Sequence, residues 1–154
     1  MDEELLNLQC FLDKHRIRFF NSREITLLRR EGTYSVPERD KWLDIIPPLK
    51  IADAIRGLWN GPVNVNSGYR PPFYNKKVGG AEGSQHLFFT AVDLSPKEGD
   101  VEEFKALAMR VVKRYRDGGT NVGLGIYSWG VHIDVNAIDR PKNRTFGPEA
   151  PANF

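Results

Sequence analysis

The chain has 154 residues, enough for one domain with a single hydrophobic core, and its apolar and charged fractions are those of a globular protein. A net charge of +2, with no basic run interleaved with aromatics, argues against a nucleic-acid groove. Cys10 is the only cysteine, which rules out a disulfide framework and a cysteine metal cluster, and no apolar run reaches membrane-spanning length. The N-terminus is acidic and amphipathic rather than basic then apolar, so the expectation is a product made in the cytoplasm without a signal peptide or membrane insertion.

Asp2 can cap a first helix with Leu5, Leu8 and Leu12 at helical spacing, ending near His15. His15 itself fits no site pattern. Ser22 is read as the cap of a short helix, 23–30, stopped by Gly32. Residues 33–37 read as loop and 39–46 as a helical turn or two. Pro47 and Pro48 then start a stronger helix with Leu49, Ala52, Ile55 and Leu58 on one face. A strand is expected at 63–66 and a second at 90–94. Asp100, with Glu103 three residues on, opens a long helix running to about Arg116. Strands at 122–127 and 131–135 are joined by a tight turn at Ser128, Trp129 and Gly130, and the tail from Asp139 reads as irregular. Helices first and strands later indicate one α+β domain over 1–154, with a small, mostly antiparallel sheet.

The chain is organised around residues 67–93, which pass from Ser67-Gly68-Tyr69-Arg70 through a Pro- and Gly-rich loop to Ser84, His86 and Asp93. An imidazole and a carboxylate near a strand are ligands for a borderline metal such as zinc, and His132 is the best third. Two His and one carboxylate leave a fourth position open, the pattern of a catalytic site. Residues two apart on a strand share a face, so Asp134 is expected to project with His132.

The SGYR corner at 67–70, Asn75 followed by Val78-Gly79-Gly80-Ala81, Ser84 and His86 with Asp93 seven residues on, and the late Val131-His132-Ile133-Asp134 together resemble the zinc D-alanyl-D-alanine carboxypeptidase family. Lysostaphin-type enzymes and the hedgehog fold share its metal-site architecture. The resemblance extends upstream through FFNSREI at 19–25 and is nearest to compact phage-type members. It implies one zinc ion held by His86, Asp93 and His132, and Arg70 placed to bind a substrate carboxylate. Ser84 would bond within the site and Trp129 would line the groove.

Two positions depart from the family pattern. Phe89 stands where a glycine is usual and could narrow the cleft. Trp129 and Gly130 stand where the general base is usual, which leaves Asp134 as the candidate base or, equally, as a partner that orients His132, with Glu82 the next choice of base. The functional expectation is a zinc peptidase acting on peptidoglycan stem peptides or cross-links, as a phage or prophage lytic protein released by a holin or carried in a virion. The alternative is a non-catalytic structural virion protein or wall-binding module that keeps the fold and contacts other virion proteins.

Overall fold

Alternation in the second half of the chain sorts side chains onto two faces of a sheet. The computed structural model describes residues 2–154. Its five-stranded sheet has the order β3-β4-β6-β5-β7, formed by Val63–Ser67 (β3), Ala91–Pro96 (β4), Val122–Tyr127 (β5), Gly130–Val135 (β6) and Thr145–Phe146 (β7). All neighbours are antiparallel except β5 and β7, which run parallel. Residues two apart on a strand point the same way. One face therefore collects Val92, Leu94, Leu124, Ile126, Val131 and Ile133, all buried in the core. The other collects Ala91, Asp93, Gly123, Gly125, His132 and Asp134. The pairing puts Asp93 directly opposite His132, and Ala91 opposite Asp134.

Two helices cover the apolar face. Ile46–Leu58 (α3) buries Leu49, Ile51, Ala52 and Ile55. Val101–Asp117 (α5) buries Phe104, Leu107, Ala108, Val111 and Val112, and Asp100 caps it by accepting from the N–H groups of Glu102 and Glu103. Each fully buried large apolar side chain contributes about 1.5–3 kcal/mol through removal from water. The α+β architecture expected from the sequence is the one observed.

Several local expectations shift. Glu3–Lys14 (α1) is capped by Asp2 as expected. The next helix, Ser22–Thr26 (α2), is capped by Asn21 rather than Ser22, through a reciprocal bond pair with Glu24, and it ends four residues early. Residues Leu27–Leu28 (β1) instead pair with Thr33–Tyr34 (β2) as a small hairpin. Part of the Pro-rich loop is helical, Pro72–Lys77 (α4), with proline at its first turn. The tail contributes β7, and an ion pair between Glu149 and Lys105 fastens the segment beyond that strand to α5.

Phe89 does not narrow the cleft. It adopts left-handed backbone, φ 59°, at the end of the 3₁₀ turn 85–88, and its side chain is fully buried, edge-on to Tyr69 at 5.9 Å. That conformation costs about 1–2 kcal/mol for a non-glycine residue, while losing a buried phenyl ring costs about 3–5. Phe89→Gly is therefore expected to destabilise by about 2 kcal/mol, a fall in melting temperature of about 4–8 °C by calorimetry. A gain in stability would mean that backbone strain outweighs the ring's packing.

Candidate metal centre

Three backbone devices converge on the polar face of the sheet. The cross-strand pairing of β4 and β6 sets Asp93 beside His132. The corner at 67–70 and the turn at 85–88 are stitched together, Arg70 N–H donating to the His86 carbonyl at 3.1 Å. Ser84 caps that turn, its hydroxyl accepting from His86 N–H at 3.2 Å. Gly68 is required at the corner, because a Cβ there would lie 2.1 Å from the Ile25 carbonyl oxygen.

One ligand atom from each of His86, Asp93 and His132 lies within 4.8 Å of the others. His86 Nδ1 donates to the Gly68 carbonyl at 2.7 Å, so its Nε2 presents a lone pair toward Asp93 Oδ1 at 3.1 Å. His132 Nε2 bonds Asp134 Oδ2 at 2.7 Å, which turns Nδ1 toward Asp93 Oδ1 at 2.9 Å. At neutral His86 the lone pair facing the Asp93 carboxylate is repulsive unless a cation lies between them, whereas charged His132 donates to Asp93 until a metal displaces its proton. This donor set fits a divalent metal, with the far nitrogen of each imidazole already fixed by an acceptor.

The electrostatics follow from the same contacts. Burial pushes the Asp93 carboxyl up, but the two imidazoles outweigh it and hold Asp93 far below the usual carboxylate range. Burial dominates at His86 and lowers its pKa. At His132 burial also disfavours charge, yet the hydrogen bonds to Asp134 and Asp93 prevail and raise it to about 9.

Asp134 is placed differently from the expectation of a base. It is fully buried, and both oxygens are occupied. Oδ1 accepts from Arg144 Nη1 at 2.9 Å, while Oδ2 accepts from Arg144 Nη2 and His132, each at 2.7 Å. Burial would raise its pKa, but these bonds from His132 and Arg144 lower it. A carboxylate held this way orients His132 and has no free edge for a proton from the cavity. Glu82 is exposed on its loop.

The other expected site residues divide. Trp129 is 39% exposed, lines the cavity over the centre and stacks on Tyr127 at 5.2 Å and 7°. Ser84 lines the same cavity but acts on backbone. Arg70 is turned inward, donating to Ser67 Oγ at 2.9 Å, to Asn75 Oδ1 at 3.3 Å and to Asp93 Oδ2 at 3.5 Å. Its fork is committed to positioning Asp93 rather than held open for a ligand.

Arg144 and the glycines of β5 carry roles that spacing alone does not announce. A Cβ on Gly123 would sit 2.4 Å from both Asp134 Oδ1 and Arg144 Nη1, and one on Gly125 2.7 Å from Phe146. The two glycines leave the space in which the tail reaches Asp134. The signal available in the sequence was Gly-Leu-Gly in an otherwise apolar strand, since glycine inside a strand marks close approach.

A cavity of about 330 Å³ lies over the centre, with Arg70, Tyr127, Trp129, Arg140 and Phe146 in its lining. A family model described as Peptidase M15 matches residues 19–134, a span holding His86, Asp93 and His132. No curated protein matches the chain.

Proposed function

The chain belongs to the Peptidase M15 family, a metal-dependent peptidase family, and from that premise we propose that it is a zinc peptidase acting on the peptides of peptidoglycan, as a carboxypeptidase or endopeptidase. The observation that carries the reading is the meeting of two imidazoles and a carboxylate, with one ring nitrogen of each imidazole turned inward and both far nitrogens anchored. His86, Asp93 and His132 would hold the ion, which when bound supplies Lewis acidity toward a peptide carbonyl and acidifies water. Around it, Asp134 with Arg144 fixes the His132 ring, the Gly68 carbonyl fixes His86, and Arg70 steadies Asp93. Trp129 and Tyr127 offer a flat aromatic wall to a substrate. The proposal extends to a phage or prophage lytic role, supported by the resemblance to compact phage-type members.

One observation favours a second reading, a non-catalytic wall-binding or virion module that keeps the fold. Among the described residues lining the cavity, Asp93 is the only carboxylate, so none is left over to accept a proton. Metal content measured together with amine release from purified peptidoglycan separates the two. The peptidase reading expects about one zinc per chain and chelator-sensitive release. Zinc binding without turnover on any cross-linked wall would leave the module.

A further inference from the structure

Beside the metal centre lies a second concavity of about 740 Å³, and it shares Gly83, Gln85 and Arg140 with the cavity over the ligands. The two concavities thus adjoin along a shared stretch of lining. Three large apolar side chains line the outer part from three separate segments: Leu43 at 60% exposure, Phe88 at 50% and Ile138 at 81%. Single exposed apolar residues are ordinary, but three converging on one concavity next to a site are the composition of a ligand pocket.

Charge selects the occupant. Asp40, Asp44 and Asp139 line the same trough, and none has a hydrogen-bond or ion-pair partner among the described residues, whereas the ammonium of Lys41 is taken by Glu38 at 3.0 Å. At the junction, Arg140 donates one bond, to the Gly83 carbonyl at 3.1 Å. Its guanidinium keeps donors free, unlike the committed forks of Arg70 and Arg144.

Resting on the peptidase reading above, we propose that this trough is a substrate subsite for a diamino-acid residue of the peptide. The substrate backbone crosses from the metal centre past Arg140, which binds a carbonyl or carboxylate. The aliphatic stem of the side chain lies along Leu43, Phe88 and Ile138, and its free ammonium meets the three carboxylates.

The test uses the zinc-loaded full chain and a soluble wall peptide containing a diamino acid, against the same peptide acetylated on the side-chain amine. Affinity is read by calorimetry and turnover by product analysis. Acetylation is expected to weaken Kd and raise KM by about tenfold, the combined effect of three screened ion pairs, with kcat unchanged. The triple variant Asp40→Asn, Asp44→Asn, Asp139→Asn should lose that discrimination while keeping its metal. Equal affinity of the wild type for both peptides overturns the subsite, as does full discrimination by the triple variant. Turnover without discrimination removes the subsite and leaves the peptidase reading standing. Discrimination in Kd without turnover keeps the subsite and removes catalysis.

Discussion

Asp134→Asn is expected to lower metal affinity by about 10–100-fold and to carry activity down with it. Asparagine keeps the shape but is neutral, and whichever way its amide is turned its NH2 faces a donor, either Arg144 Nη1 or the pair Arg144 Nη2 and His132. Arg144 would then sit largely enclosed and unpaired, its side chain 18% exposed against a partner at 0%. Breaking a buried pair from one side costs about 3 kcal/mol or more, so the melting temperature should also fall. A base would behave otherwise, leaving affinity near wild type while kcat dropped by about 100-fold or more. Competition with a chelator, followed by turnover at saturating metal, distinguishes these outcomes. Recovery of activity at high metal supports the orienting role, and unchanged affinity would refute it.

Metal loading is expected to expel one proton near pH 7.5, and apparent affinity should rise about tenfold per pH unit until it levels near pH 9. His132 is the source. Its pKa stands at about 9 against an ordinary 6.5, so in the metal-free protein it is charged at neutral pH and must lose that proton to coordinate. His86, lowered by burial, contributes none. For stability, a folded pKa above the unfolded one gives stabilisation that is full below about pH 6.5 and lost as pH rises through about 9. The metal-free melting temperature should therefore fall across that window, while that of the loaded protein should not. Calorimetry in buffers of different ionisation enthalpy counts the proton. A release of zero would mean that His132 is already neutral before the metal arrives.

The grouping of the three candidate ligands was legible because sheet geometry turns sequence spacing into direction. Asp93 and His132 sit in strongly apolar strands whose alternation decides which face each takes, and His86 lies in the loop leading into one of them. The role of Asp134 was half legible: same-face placement followed from spacing, but its enclosure did not, because the partner that encloses it is ten residues further on. Arg144 is brought there by β7, a strand of two residues with no periodicity to detect. The helix at 72–77 was obscured in the same way, six residues being too few for an apolar stripe, though proline at its start was the available cue. At 21–22, Asn and Ser are both good caps, and only the reciprocal bond with Glu24 chooses between them.

The pairing of β7 with β5 bears on when the centre comes into being. A nascent chain carries all three candidate ligands once His132 has been made, yet the counter-charge for Asp134 arrives only with Arg144, and the tail is fastened later still by Glu149 to Lys105. Without Arg144, Asp134 keeps His132 as a partner but loses both guanidinium bonds, and without β7, β5 is an open edge. Completion of the centre thus depends on residues that lie beyond its last candidate ligand in the chain. A chain truncated after residue 135 would keep all three candidate ligands but lack the clamp that holds one of them in place.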